Sequence, residues 1–145
     1  MTIEYRILGP NDRAVLDHVA AGVFDQDIDP ALANEFLGDS RHHLAVAVDA
    51  GVVVGFASAV HYVHPDKPAE LWVNEVGVAP THRRKGIAQR LLQTLFDLGR
   101  ELGCREAWVL TSPANRGAMQ LYGAAGGRQL TDPPAMFTFR LTQNG

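Results

Sequence analysis

Apolar residues alternate with polar ones in some stretches of the chain and recur every three or four positions in others. This predicts a mixture of strands and helices. Apolar runs that alternate, or that are rich in β-branched residues, predict strands over residues 2–8, 43–48, 52–63, 70–78, 105–112 and 135–142, with a short extra strand near 128–130. Apolar residues three or four positions apart predict helices over residues 13–24, 30–38 and 87–102, and a further helix from residue 115. This order predicts a single α/β (α+β) domain over residues 1–145, with a mixed sheet of six to seven strands and helices on both faces.

Composition and charge narrow the class of partner. The 145 residues carry a net charge of −3, which gives no overall attraction to nucleic acid. A single cysteine, Cys104, excludes an intramolecular disulfide. No run reaches the ~18 apolar residues of a membrane-spanning helix, and the first ten residues have no apolar secretory core. We therefore expect a cytoplasmic protein that binds neither nucleic acid nor membrane.

Positive charge is concentrated where the fourth predicted strand turns into the long helix. Arg83, Arg84 and Lys85 precede Gly86 there. The first N–H groups of a helix have no internal partner and attract anions, and a glycine lets a phosphate approach the backbone. The segment is therefore suited to a pyrophosphate. The alternative is a solvated basic first turn, although basic side chains at that end oppose the helix dipole.

Two motifs resemble the GCN5-related N-acetyltransferase (GNAT) family. The family's [Q/R]-x-x-G-x-[G/A] signature is matched by "RRKGIA" (residues 83–88), after a strand and before an amphipathic helix. Its "N-x-x-A-x-x-L-Y-x-x-x-G-F" segment is matched by "NRGAMQLYGAAGG", except that Gly127 replaces the aromatic residue. The resemblance implies a GNAT fold whose sheet is splayed between strands four and five. The "YVHPDKPAELWVNEVGV" and "THRRKGIA" stretches are most similar to the type I aminoglycoside 3-N-acetyltransferases.

The resemblance implies acetyl-CoA (coenzyme A after transfer) as the cofactor, held by two segments. The edge of strand four, Val76, Gly77 and Val78, would pair with the pantetheine arm, and one N–H there would polarise the thioester carbonyl. Asn115 would contact the arm at the splay. The pyrophosphate would lie against backbone N–H groups and cationic side chains of Arg83, Arg84, Lys85, Gly86, Ile87 and Ala88.

Acetyl transfer to an amine needs a base and an acid. An alkylamine with a pKa near ~10 is mostly protonated at neutral pH, so a base must remove a proton before attack. Glu75 is the predicted base, directly or through one water, because a carboxylate is unusual in so apolar a strand. Tyr122 is the predicted acid that protonates the leaving sulfur, and it is also predicted to contact the cofactor. The alternatives are a strand-face glutamate paired with a surface cation and a buried phenol of the core.

The acceptor is predicted to be a small cationic amine. An acidic run in the first third of the chain would attract a polycation, although a solvated helix surface explains it equally well. The predicted acceptor side consists of Asp25, Asp27, Asp29, Glu35, Asp39, His61, Tyr62, His64, Asp66, Asn74 and Glu75. The histidines have no metal-binding spacing, so no metal site is predicted.

The predicted function is acetylation of a primary amine, with the 3-amino group of an aminoglycoside as the preferred acceptor and antibiotic resistance as the associated role. Acetylation of another small amine or of a protein N-terminus remains open, as does a coenzyme A-binding module without turnover. The apolar "AMFTFRL" stretch also predicts either core or a homodimer interface.

Overall fold

A computed structural model describes residues 2–143 of the chain. Its strands are β1 (Glu4–Ile7), β2 (His42–Asp49), β3 (Val52–Tyr62), β4 (Glu70–Val78) and β5 (Ala107–Val109). Its helices are α1 (Pro30–Gly38), α2 (Ile87–Glu101) and α3 (Arg116–Ala124), and two short 3-10 turns cover Arg13–Asp17 and Pro80–His82. None of the helices described between residues 2 and 143 combines the length and apolar character needed to cross a membrane.

The five strands form one mixed sheet in the order β1-β2-β3-β4-β5. The pairs β1–β2, β2–β3 and β3–β4 are antiparallel, and the pair β4–β5 is parallel. Ala50 and Gly51 both have positive φ, of 50° and 81°, which suits the tight turn between β2 and β3. A parallel pair needs a longer crossover, which α2 supplies between β4 and β5. The mixed sheet agrees with the sequence prediction.

The core lies mainly between the sheet and α2. Leu91, Leu92 and Leu95 are fully buried on one side of that helix, as its amphipathic spacing predicts. Gly99 brings the helix against β4, since a Cβ there would lie 3.1 Å from a methyl group of Leu71. On the opposite face, α1 packs beside β2, where the ring of Phe36 stacks on His42. Helices therefore cover both faces.

The predicted helix over residues 13–24 is wrong. Only Arg13–Asp17 is helical, as a 3-10 turn, and the chain then runs extended beside β3. Val53 N–H donates to the His18 carbonyl at 2.8 Å, and Ala20 N–H donates to the Val53 carbonyl at 2.9 Å. Val53 also pairs with Val48 of β2, next to an irregularity in the register of β2 and β3. Contacts distant in sequence therefore override the helical spacing.

The predicted number of strands is also wrong, because residues 2–143 form five strands rather than six to seven. The strand predicted over residues 105–112 is reduced to Ala107–Val109, and residues 128–130 and 135–142 form no strand. All of residues 128–143 are exposed in this chain. A strand needs hydrogen bonds from a neighbour, and these residues have no neighbouring strand within residues 2–143.

Candidate active site

The sheet opens between β4 and β5 at the middle of β4. The two strands pair only from Leu71 to Val73 of β4, opposite Ala107–Val109. Asn74 is then an extra residue in β4, since Ala59 pairs with Val73 while Ser58 pairs with Glu75. Such a bulge increases the twist and redirects the following side chains. The edge of Val76–Val78 that faces away from β3 is left free, as expected for a sheet splayed at this point.

A short loop joins this free edge to α2 and is held to the sheet at two points. The Ala79 N–H donates to the Val54 carbonyl at 2.8 Å. His82 Nε2 lies 2.7 Å from Oδ2 of Asp49, at the end of β2, and its Nδ1 lies 2.8 Å from the Thr81 hydroxyl oxygen. A neutral imidazole with its hydrogen on Nε2 satisfies both contacts. Sequence reasoning gave His82 no role, because Asp49 lies far from it along the chain.

The loop ends in two residues with left-handed backbones, Arg84 with φ of 63° and Gly86 with φ of 76°. Gly86 is the N-cap of α2, and no side chain caps this end of the helix. The first helical bond runs from Arg90 N–H to the Gly86 carbonyl at 3.1 Å, so the N–H groups before Arg90 precede the helical ladder. Apart from Gly86 itself and its two chain neighbours, no atom of residues 2–143 would lie within 4 Å of a Cβ at this position. The space before these N–H groups is open to an anion.

The cationic side chains of Arg83, Arg84 and Lys85 are exposed around this opening. Arg83 Nε donates to the Val78 carbonyl at 3.4 Å, so its side chain is turned back along the end of β4. Exposed cations beside uncapped N–H groups form a site that fits a pyrophosphate. The residues present are thus compatible with the phosphate part of coenzyme A.

Tyr122 lines a cavity of about 300 Å³ between α2, β5 and the end of α3. Leu92 and Phe96 of α2 and Trp108 and Val109 of β5 contribute to the mainly apolar lining. Burial raises the pKa of the Tyr122 phenol above its ordinary value, so the hydroxyl keeps its proton at neutral pH. Burial likewise raises the pKa of the Cys104 thiol in the same lining. A phenol in this state can donate a proton but cannot accept one.

Asn115 stands at the start of α3, beyond the end of β5. Its side-chain carbonyl accepts a hydrogen bond from Ala118 N–H at 3.1 Å, which makes it the N-cap of the helix. The side-chain NH₂ group is the part left to contact a ligand. The structure thus gives Asn115 a structural role that sequence reasoning did not identify.

Glu75 faces the side of the sheet opposite α2. Gly77, two residues along β4, faces the same side, where a Cβ would contact the Val23 carbonyl and lie 2.8 Å from the Phe56 ring. The Glu75 side chain is exposed. Phe24 stacks on Phe56 at 4.0 Å between ring centroids, so the segment after Phe24 begins on this face.

Two tryptophans lie on the same face of the sheet as Glu75. Leu71 and Val73 point towards α2 and are buried, so Trp72 between them points to the other side. Trp72 pairs with Trp108 of β5, and the rings stack with centroids 4.9 Å apart. Both rings are half-buried. Sequence reasoning missed this pair, because the register of β4 against β5 brings the two residues together.

The predicted acceptor residues fall into three groups. Asp25 and Asp27 directly follow the segment packed on Gly77, and both are exposed. Asp29 caps α1 through bonds to Ala31 and Leu32 N–H, and Glu35 is exposed on that helix. Asp39 binds Arg41, whose hydrogen bonds lower the pKa of that carboxyl group. Asp29 and Asp39 thus have structural partners, which weakens the case for direct roles in binding.

The hairpin residues lie at the other end of the strands. Tyr62 pairs with Glu70 in the sheet, five positions before Glu75, or roughly 15 Å along β4. His64 Nε2 lies 3.3 Å from Oε1 of Glu70, and its ring packs against Tyr62. His61 instead contacts His43, with Nδ1 and Nε2 2.8 Å apart, and Asp66 lies beside Lys67. These side chains form a group separate from Glu75, whereas Asn74 adjoins it.

No group of three histidine, cysteine, aspartate or glutamate side chains among residues 2–143 has a geometry that could hold a metal ion.

The sequence profile of the family described as Acetyltransferase (GNAT) matches residues 13–126. The chain belongs to the GNAT family. GNAT acetyltransferases as a family take their acetyl group from acetyl-CoA, and the predicted membership of that family is confirmed. The profile includes the loop at Gly86 and the helix that carries Tyr122, which are the two motifs used in the sequence prediction.

Some curated relatives of this GNAT protein are named as acetyltransferases of antibiotics, and others as acetyltransferases of small amino acids. It is 33% identical over 88 residues to streptothricin acetyltransferase of Streptomyces lavendulae, an alignment that covers 61% of this chain and 44% of that protein. It is also 33% identical over 90 residues to aminoglycoside N(6')-acetyltransferase type 1 of Salmonella typhimurium, covering 58% of this chain and 62% of that one. The alignments therefore span roughly half of each relative's length.

Solved structures show the same fold over nearly the whole GNAT chain. An aminoglycoside acetyltransferase from an uncultured soil metagenomic sample superimposes with a TM-score of 0.80 and 22% identity, covering 98% of this chain and 100% of that one. AAC(6')-Iy in complex with a bisubstrate analogue of CoA superimposes with a TM-score of 0.79 and 23% identity, covering 97% and 99%. At this identity the likeness establishes the GNAT fold.

Proposed function

We propose that this protein is an acetyl-CoA-dependent N-acetyltransferase that modifies a primary amine of a small polycation, with aminoglycosides as the preferred acceptors. The observation that carries the proposal is the uncapped start of α2 at Gly86, which adjoins the free edge of β4 at Val76–Val78. One segment suits a pyrophosphate, and the other presents backbone groups to an extended amide-containing arm. Their continuity along the chain matches a ligand that contains both parts.

Acetyl-CoA would supply the acetyl group as a thioester. The N–H groups of Gly86, Ile87 and Ala88 would bind the pyrophosphate, with Arg83, Arg84 and Lys85 neutralising its charge. The free edge of Val76–Val78 would bind the pantetheine amides, and one N–H there would stabilise the charge that develops on the carbonyl oxygen. The NH₂ group of Asn115 would contact the arm beyond the end of β5.

Glu75 would remove a proton from the acceptor ammonium, directly or through one water. Its exposure beside the Asn74 bulge supports this role, since an amine could approach β4 from the face opposite α2. The freed lone pair attacks the carbonyl carbon, so that a C–N bond forms and the C–S bond breaks. The Tyr122 phenol, which burial keeps protonated, then donates its proton to the departing sulfur.

The acceptor would lie on the face that carries Glu75. Asp25 and Asp27 lie near the end of β4 through the contact of Val23 with Gly77, and their exposed carboxylates would attract a polycation. The stacked rings of Trp72 and Trp108 offer a flat apolar surface on the same face for the carbon side of a sugar ring. Asn74, Asp29, Glu35, Tyr62 and His64 remain further acceptor contacts in this proposal.

The predicted 3-amino group remains a proposal for the position of transfer. The name of the Salmonella relative gives the 6'-amino group for that enzyme, which makes the 6'-position the second candidate here. Acetylation of another small amine is the main alternative acceptor, favoured by the likeness to streptothricin acetyltransferase. A protein N-terminus as acceptor and a coenzyme A-binding module without turnover are the two remaining alternatives. Of the two alternatives that the sequence leaves for "AMFTFRL", core or a homodimer interface, the proposal includes the homodimer.

The deciding experiment measures release of free coenzyme A thiol from acetyl-CoA with a panel of acceptors. We expect turnover with aminoglycosides and none with peptides that have a free N-terminus. NMR of the product then identifies the acetylated amine. Turnover confined to small diamines would show that small diamines, and not aminoglycosides, are the acceptors. Binding of acetyl-CoA without turnover on any amine would contradict the enzymatic proposal.

A further inference from the structure

One serine hydroxyl is buried in the middle of β3. Ser58 is 9% exposed, and Ser58 and His43 are the two polar side chains that are buried among residues 2–143. His43 has a partner, since its Nε2 lies 2.8 Å from Nδ1 of His61. Burial of a hydroxyl among apolar side chains costs free energy unless the hydroxyl has a hydrogen-bond partner. The partner of Ser58 is therefore to be sought on the face of the sheet to which it points.

Ser58 points away from α2. Gly55, three residues earlier in β3, faces α2, since a Cβ there would lie 3.1 Å from a methyl carbon of Ile87. Side chains alternate along a strand, so Ser58 faces the opposite side, as Phe56 does. The Phe56 ring lies 2.8 Å from the Cβ position of Gly77 on that side. Two separate contacts thus give the same direction for Ser58.

The bulge in β4 turns Glu75 onto the face of Ser58. Val73 is buried and points towards α2, and in a regular strand a residue two positions later would point the same way. Asn74 is an extra residue, which shifts the register of β4 against β3 and turns Glu75 to the other face. Ser58 is then the residue paired with Glu75 in the ladder. The Cβ atoms of such a pair are roughly 5 Å apart, which lets a serine hydroxyl reach a glutamate carboxylate.

We propose that Ser58 is a positioning residue for Glu75 in acetyl transfer. Its hydroxyl donates a hydrogen bond to the Glu75 carboxylate and so holds that side chain on the face from which the amine approaches. The Glu75 side chain is exposed and would otherwise move among several rotamers. The proton of the acceptor ammonium passes to Glu75, and the serine keeps its own proton throughout.

The chemistry of the two groups suits this arrangement. A carboxylate has two oxygens that accept hydrogen bonds, so one can bind Ser58 while the other stays free for the ammonium group or a water. β3 is paired on both sides, with β2 and β4, so the hydroxyl projects from a backbone that is held in place. The inference rests on the proposed role of Glu75 and adds to it a residue that lies outside both family motifs.

Ser58→Ala removes the hydroxyl and little volume. In thiol-release assays with acetyl-CoA and an aminoglycoside, we expect kcat to fall about ten-fold, as for loss of one hydrogen bond to a charged group, at an unchanged KM for acetyl-CoA. Alanine already occupies the flanking positions 57 and 59, so the variant should fold, which circular dichroism would check. Ser40→Ala, in the exposed turn before β2, is the matched control and should keep the kcat of the wild type.

A double-mutant cycle with Glu75→Gln distinguishes positioning from a structural effect. If Ser58 acts only through Glu75, Ser58→Ala causes no further loss of kcat in the Glu75→Gln background. Losses that multiply would overturn the inference, because Ser58 would then act independently of Glu75. An unchanged kcat in Ser58→Ala, beside the expected loss in Glu75→Gln, would remove Ser58 and leave Glu75 as the base. An unchanged kcat in Glu75→Gln would instead contradict the proposed base, and the role of Ser58 with it.

Discussion

His82 in the loop before α2 and Asp49 at the end of β2 are joined by a 2.7 Å contact between Nε2 and Oδ2. Both side chains are largely buried, with exposed fractions of 16% and 22%. The contact ties the loop that leads to Gly86 to the end of β2. The shape of the proposed phosphate site therefore depends on a residue pair that need not touch the ligand.

We predict that His82→Ala weakens acetyl-CoA binding without unfolding the protein. Loss of one hydrogen bond to a charged group corresponds to about 1.5 kcal/mol, or about ten-fold in Kd. Isothermal titration calorimetry of the variant would measure this directly. Asp66→Asn in the exposed β3–β4 hairpin is the control and should leave Kd unchanged. Normal affinity in His82→Ala would show that the loop keeps its shape without this anchor.

Gly86→Asp is expected to abolish acetyl-CoA binding. The added carboxylate would occupy the open space in front of the uncapped N–H groups and repel a phosphate. The left-handed backbone at Gly86 also makes any side chain unfavourable by about 1 kcal/mol. Gly103→Asp is the matched control, because Gly103 has a φ of 85° with no atom near its Cβ position, at the other end of α2. Calorimetry should show loss of binding only in Gly86→Asp.

Glu75→Gln should lower kcat by about 100-fold while leaving the Kd for acetyl-CoA unchanged. The amide keeps the shape and polarity of the side chain but cannot accept the proton of the ammonium group. Glu101→Gln, on the exposed end of α2, provides a control with the same change of charge. Steady-state assays of thiol release would measure the effect. If kcat is unaffected, another group or bulk water must act as the base.

Tyr122→Phe removes the proposed acid while retaining the ring in the cavity. We expect kcat to fall by about 100-fold and thermal stability to change little. Burial raises the pKa of the wild-type phenol, so the acid is lost only as the pH rises above about 10. The alkaline limb of the kcat profile should therefore disappear in Tyr122→Phe. A profile identical to that of the wild type would leave Tyr122 as a packing residue.

His43 is expected to make the fold sensitive to acid. Its pKa is lowered from 6.5 to about 4, mainly by burial and to a smaller extent by the neighbouring His61 and His42. Below pH 6.5 the unfolded chain therefore binds more protons than the folded one. The contribution of His43 is present above pH 6.5 and is lost as the pH falls towards 4, by up to about 1.4 kcal/mol per pH unit.

Urea denaturation at several pH values would measure the loss of stability on acidification. His43→Gln should be less stable at neutral pH but should lose less stability between pH 6.5 and 4. The matched control is His18→Gln, at an exposed position that is not among the groups acting on His43, and it should keep the pH dependence of the wild type. The same slope in the wild type and His43→Gln would assign the acid sensitivity to other groups.

Local patterns were sufficient to predict the centre of the fold. The amphipathic spacing of α2, the N-cap at Asp29 and the stop at Gly103 all occur where the sequence indicates. The strand predicted over residues 70–78 matches β4 at both ends. In each case the residues that determine the helix, its end or the strand are neighbours along the chain. The wrong helix over residues 13–24 shows the opposite case, because Val53 forms bonds there that no local pattern contains.

The parts of the candidate site that lie within one continuous motif were predicted from the sequence. The parts that depend on how distant segments align in the folded chain were missed. The loop at Gly86 and the edge of Val76–Val78 each lie within one short stretch of sequence. The stacking of Trp72 on Trp108 depends on how β4 aligns with β5. The contact of His82 with Asp49 depends on how the loop folds back over the sheet. These distant pairings follow from the assembled sheet and have no signal in spacing alone.

Because Gly77 has no side chain, the backbone of the segment before Asp25 can lie directly against β4, and this contact bears on how acceptor preference can evolve. Because the carbonyl of Val23 rests directly on β4 there, the segment that leads to Asp25 and Asp27 starts from a fixed point on the donor strand. Side chains after that point can be varied while the anchor is kept. A library randomised at residues 25–28 with Gly77 unchanged should therefore yield new amine specificities at intact donor affinity, whereas substitution of Gly77 should impair every member alike.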